Sequence, residues 1–135
     1  MNETVFNFEK LEVWRNAMDL AKETYSLIRL FPAYEKYSLA DQLRRSSTSV
    51  ALNIAEGHGR HHNKDFKRFL FNARGSLFET VTCLKLAVSL QYIDPSVAND
   101  ILNKCKYILR QLNGLICYLG KEYTKDKRQK TKDTK

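Results

Sequence analysis

Between Asn53 and Phe66 the chain reads NIAEGHGRHHNKDF, which places His58, His61 and His62 within five positions and Gly57 and Gly59 two residues apart. Three imidazoles so close could share a metal ion, and a basic glycine-containing turn could hold phosphate. Both chemistries need more than these residues. Metal sites in helical bundles use Glu-x-x-His pairs from facing helices, and hydrolytic zinc helices use HExxH; neither pattern occurs here. A P-loop needs GxxxxGK[ST] after a strand, and a dinucleotide fingerprint needs three glycines between strand and helix. Neither context is present, so the stretch reads as a solvated basic turn with no metal and no cofactor.

Nucleophilic catalysis finds no better support. Ser46, Ser47 and Ser49 have no adjacent histidine and no strained elbow around them, so they read as small helical residues. Glu56 and Glu79 are mid-chain carboxylates, for which pairing with an arginine is the commoner role. The three cysteines, Cys83, Cys105 and Cys117, cannot all pair within one chain and show no CxxC spacing. Lying in apolar segments, they read as reduced core residues of a cytoplasmic protein. No catalytic residue and no enzymatic activity is expected. The N-terminus MNETVFNFEK lacks a basic patch followed by an apolar run, and no apolar stretch approaches about 20 residues. No membrane span is expected.

The net charge of +8 is unevenly placed. Residues 1–35 carry −2, residues 36–75 +5, residues 76–120 +1 and residues 121–135 +4. The excess therefore lies in the middle of the chain and at its end.

Hydrophobic periodicity predicts four helices, over about residues 8–31, 38–57, 63–91 and 95–119. In the first, Leu11, Trp14, Met18, Ala21, Tyr25 and Ile28 form the main apolar row, flanked by Ala17, Leu20, Thr24, Leu27 and Phe31; Pro32 ends it. Ser38 and Asp41 are spaced as a capping box for the second helix, which offers Leu39, Leu43, Val50 and Ile54 beside the small Ser46, Ser47 and Ala51. Gly57 releases this helix through a left-handed conformation. The third starts with Asn63 as cap and buries Phe66, Leu70, Ala73, Leu77, Val81, Leu84 and Val88. Asp94 and Pro95 open the fourth, which buries Ala98, Ile101, Cys105, Ile108, Leu112, Leu115 and Leu119 and ends at Gly120. Short links make successive helices antiparallel. The expectation is an all-α, antiparallel up-down-up-down four-helix bundle over residues 1–120, followed by a disordered basic tail over residues 121–135.

Phe71 and Phe78 fall roughly opposite the core row of the third helix, beside Gly75. Exposed aromatics can be incidental, can stack on bases, or can form a subunit contact, for which Gly75 would let a second backbone approach. Arg45, Ser49, Leu52 and Glu56 form a second outward stripe on helix two. The two surfaces together are the candidate oligomer interface, a ring needing two different patches.

The runs FEKLEVWRNAMDLA (Phe8 to Ala21), YSLADQLRRSSTSVALNIAEGHGR (Tyr37 to Arg60) and DFKRFLFNARGSLFET (Asp65 to Thr80) resemble the four helix bundle proteins also known as 23S rRNA-intervening sequence proteins. The resemblance spans roughly Phe8 to Gly120. It implies a homopentamer of four-helix subunits without established catalysis, and a distant kinship with the accessory protein of diversity-generating retroelements, which binds nucleic acid and works with a reverse transcriptase. The signature positions correspond here to Gln42, Arg44, Arg45, Asn53, Glu56, Gly57, Arg60, Phe66, Gly75, Ser76 and Glu79.

Two function classes follow. One is an oligomer that binds RNA or DNA, with phosphates held by Arg60, Lys64, Lys67 and Arg68 around the turn and by Lys125, Lys127, Arg128, Lys130 and Lys132 at the C-terminal end. The other is a scaffold that docks a polymerase or another protein partner, its charge serving solubility.

Overall fold

The computed structural model describes the backbone of residues 5–133 and the side chains of residues 5–121. Four α-helices, α1 Glu12–Ile28, α2 Leu39–His58, α3 Asn63–Ser89 and α4 Pro95–Asp133, are accompanied by one-turn 3-10 helices at Asn7–Lys10, before α1, and at Ala33–Glu35, between α1 and α2. Helix α1 packs on α2, α2 on α3, α3 on α4, and α4 closes the square against α1. The direction of each helix follows from its cross-contacts. Gln42 meets Glu79 and Ser49 meets Ser76, so α2 and α3 run oppositely. Arg74 meets Asn113 while Lys67 approaches Gly120, so α3 and α4 do too. Phe31 packs on Tyr92 with ring centroids 5.6 Å apart, which brings the ends of α1 and α3 to the same end of the bundle. The all-α four-helix arrangement expected from periodicity is the observed fold.

The core is one continuous cluster, filled by Leu20, Leu43, Val50, Ile54, Leu70, Leu77, Leu84, Ile108 and Leu112, none more than 1% exposed. On α1 the buried row is Val13, Ala17, Leu20, Thr24 and Leu27, whereas Met18 and Tyr25 are exposed. The row predicted as its flank is thus its centre, because α1 must face α2 and α4 at once and its inward direction lies between them. On α3 the inward row is likewise turned by part of a step: Phe69, Thr80, Cys83 and Ala87 are buried, and Phe66, Val81 and Val88 only partly. Cys117, predicted in the core, is exposed on α4.

Helix ends depart from the expected signals in instructive ways. Helix α1 stops at Ile28, and Phe31 is buried in the following link. Ser38 is the N-cap of α2 but its side chain caps nothing; the amide of Leu39 donates instead to Glu35 Oε2 at 2.9 Å. The N-cap of α3 is His62, so Asn63 lies one position inside the helix. Asp94 behaves as predicted, accepting from the amide of Ser96 at 3.3 Å. Gly57 is not a left-handed cap, since α2 continues to His58 and no described glycine has a positive φ. That conformation belongs to Gln91, φ 63°, at the end of α3, where the amide of Tyr92 reaches back to the carbonyl of Ala87. Gly120 does not end α4 either; the helix runs through it to Asp133. The segment expected as a disordered tail is helical backbone to that residue. At 1.5 Å per residue, the 39 residues of α4 extend about 58 Å, against about 40 Å for the 27 of α3.

Candidate nucleic-acid interface

Helix α3 approaches α2 closely beside the Gly59–His62 turn. A Cβ on Gly57 would stand 2.6 Å from Phe69 Cβ and 3.0 Å from Phe66 Cδ1, so only glycine allows this approach. The approach lays Phe69 under two cations: the guanidinium carbons of Arg60 and Arg68 lie 4.8 and 5.0 Å from its ring centroid. Cation–π attraction thereby gathers two like charges that would otherwise repel. Arg60 also donates to Glu56 Oε1 at 3.2 Å, an exposed pair that adds little stability.

Beside this pair lies a groove of about 340 Å³ lined by Asn63, Lys64, Asp65, Lys67, Arg68, Phe71 and Leu119. The four cations predicted around the turn are thus collected at one end of the bundle, three of them on one groove. Phe71 joins them. The residue is 41% exposed, and its ring carries the Arg74 guanidinium 4.8 Å from its centroid, while Arg74 Nη1 donates to Asn113 Oδ1 at 2.8 Å. The side chains of Lys125, Lys127, Arg128, Lys130 and Lys132 lie outside the described residues.

The expected interface stripe is divided between two recesses. Arg45 and Ser49 line a polar one of about 470 Å³ with Gln42, Ser46, Ser76 and Glu79. Leu52, 62% exposed, lines an apolar one of about 190 Å³ with Phe8, Trp14, Met18 and Ala21. Glu56 is engaged by Arg60. Nothing lies within 4 Å of a Cβ built on Gly75, and Phe78 is 49% exposed nearby on α3.

Ser46, Ser49 and Ser76 are committed to bonds between α2 and α3, whereas Ser47 bonds within α2. Ser46 Oγ donates to the Leu43 carbonyl and accepts from Thr80 Oγ1 at 3.0 Å; Ser47 Oγ donates to the Arg44 carbonyl. Ser76 Oγ and Asn53 Nδ2 both donate to Ser49 Oγ at 2.9 Å, and Gln42 Nε2 donates to Glu79 Oε2 at 3.1 Å. Among the described residues no three His, Cys, Asp or Glu side chains converge as metal ligands; His58 packs edge-on against Phe66, and His61 and His62 are exposed. Burial, with a smaller push from Glu23, raises the Cys105 thiol to about 12, and burial and Glu79 raise Cys83 as well. Neither is a poised nucleophile.

The sequence model of the 23S rRNA-intervening sequence proteins matches residues 9–114. The chain belongs to that family. A crystal structure of a protein of unknown function from the S23 ribosomal protein family, from Bacteroides thetaiotaomicron, superimposes with a TM-score of 0.72 at 26% identity, covering 77% of this chain and 97% of that one. No curated protein matches. Of the positions read from the resemblance as signature residues, Gln42, Gly57, Phe66, Ser76 and Glu79 lie in the α2–α3 seam and make contacts across it, while Asn53 bonds to Ser49 within α2. Among the described residues no helix is long and apolar enough to cross a membrane.

The residues that sequence reading missed are those set by contacts distant along the chain. Arg74 and Asn113 are 39 positions apart and come together only when α3 and α4 pack. Trp14 and Met18 read as core but, with Phe8, open onto a surface recess with Leu52.

Proposed function

We propose that this protein is a non-enzymatic, nucleic-acid-binding oligomer that works in the cytoplasm. The observation that carries the reading is the convergence of Arg60, Lys64, Lys67 and Arg68 at one end of the bundle, on a chain of net charge +8. Three cations on a groove with a single carboxylate, Asp65, form a local field suited to phosphates. Self-association multiplies that field. The two surfaces that support it are the apolar recess around Leu52 and the exposed Phe78, which are different and so suit the head-to-tail contacts of a ring.

Filter binding of structured RNA and duplex DNA at several salt concentrations tests the reading. Binding should weaken steeply with salt, and the combined Lys64→Gln, Lys67→Gln and Arg68→Gln substitutions should lower the slope of log K against log salt by about 2–3, at about 0.7–0.9 for each phosphate no longer neutralised. Absence of binding at low salt would instead favour a protein-docking scaffold, for which the same apolar recess is the natural surface.

A further inference from the structure

We propose that the groove at the start of α3 takes a single strand, with one unstacked base against Phe71 and the neighbouring phosphates on Lys64, Lys67 and Arg68. The inference rests on the nucleic-acid reading above and narrows it to a substrate class. Charge alone would serve any polyanion, but this groove also has an apolar wall, formed by Phe71 and Leu119. A duplex cannot use that wall, because its base faces are buried in its own stack. A single strand can, since every unpaired base has a face to offer to an aromatic ring.

The ring is prepared for that contact. Asn113 holds Arg74, and the Arg74 guanidinium sits 4.8 Å from the Phe71 centroid, so one side of the ring is supported from within the protein. Phe71 also lines the groove and remains 41% exposed. A platform fixed before binding loses less rotamer freedom on contact than a loose side chain would. The Asp65 carboxylate, also on the groove, opposes phosphate, but three cations outnumber it. An acidic peptide would satisfy the cations while leaving the flat aromatic wall poorly used, which is why the nucleic acid is preferred.

Fluorescence anisotropy with the full chain tests this on labelled strands of about 12 nucleotides: oligouridylate, oligodeoxythymidylate, an abasic phosphodiester of the same length, and a duplex. Both base-bearing strands should bind about tenfold more tightly than the abasic one, within the range expected for one stacked base. A difference between the ribose and deoxyribose strands identifies which is preferred, through the 2′-hydroxyl. Phe71→Ala should abolish the advantage over the abasic strand without weakening abasic binding, and Phe71→Trp should keep it; helical circular dichroism verifies that each variant is folded. Lys64→Gln should weaken base-bearing and abasic strands alike. Equal affinity for base-bearing and abasic strands, persistence of the preference in Phe71→Ala, or an acidic peptide binding as tightly as oligouridylate overturns the inference. Duplex binding without any base preference overturns it alone, whereas failure to bind any strand or duplex at low salt overturns the nucleic-acid reading with it.

Discussion

Gly57 and Phe69 meet so closely that a Cβ on the glycine would lie 2.6 Å from the Cβ of the phenylalanine. The contact sets the α2–α3 separation at the end of the bundle where Arg60 and Arg68 share the Phe69 ring. Backbone approach, rather than backbone freedom, is the work of this glycine.

Gly57→Ala should therefore destabilise the protein although alanine is the better helix former. Its propensity gain of about 1 kcal/mol is opposed by an overpacking cost of about 1–3 kcal/mol, because Phe69 Cβ is fixed to its own helix and cannot swing aside. Gly75→Ala is the control, having nothing within 4 Å of the added methyl in a single subunit. Thermal melts should place Gly57→Ala several degrees below the parent and Gly75→Ala at or above it. A melting temperature for Gly57→Ala equal to the parent's would show that separating α2 and α3 costs no more than the propensity gain of about 1 kcal/mol.

Thr24 is completely buried on α1, and its Oγ1 finds no hydrogen-bond partner. The hydroxyl lost its water on folding and received nothing in exchange. Thr24→Val keeps the shape of the side chain and removes the unsatisfied group, so stability should rise by about 1 kcal/mol in urea unfolding, with an unchanged m-value. A lower midpoint would mean that the hydroxyl is paired after all.

Cys105 ionises near 9.0 as an ordinary thiol but near 12 in the fold, chiefly because it is buried. Between those pH values the folded state holds the extra proton, so the thiol's contribution to stability is intact below about pH 9 and declines as pH rises toward 12. Comparing parent and Cys105→Ala from pH 8 to 11 isolates the effect. The variant should be less stable at pH 8 for lack of packing, and its alkaline decline should be shallower by at most about 1.4 kcal/mol per pH unit. Parallel curves would count against it. In the native protein at neutral pH a thiol reagent should modify Cys117, which is exposed, and leave Cys83 and Cys105 until the chain unfolds.

Periodicity made the four helices legible because an amphipathic repeat states which residues must be covered. It could not state the direction of cover to better than part of a turn, and so the centre of α1 fell on Leu20 and Thr24 rather than on Met18 and Tyr25. The end of α3 was obscure for a local reason, Gln91 taking the left-handed position where glycine would have announced it. Gly120 misled in the opposite sense, being helical despite its type. The basic group near the turn could be read from adjacent positions in the chain, whereas the Asn113–Arg74–Phe71 stack could not, since it exists only across the packed α3–α4 face.

Phe78 and the recess around Leu52 provide the sharpest test of assembly geometry. If Phe78 of one copy enters the Leu52 recess of the next, Phe78→Glu and Leu52→Glu should each reduce the mass measured by light scattering to that of a monomer, since a carboxylate buried without a partner is costly. Each variant retains the half that the other has lost. Mixed in equal amounts, they should form a heterodimer, with the intact Phe78 of the Leu52→Glu chain seated in the intact recess of the Phe78→Glu chain, and growth should stop there because both remaining ends carry a glutamate. A self-complementary contact, in which Phe78 faces Phe78, gives no such rescue. Monomers in the mixture would therefore exclude the head-to-tail arrangement even if both single variants dissociate as expected.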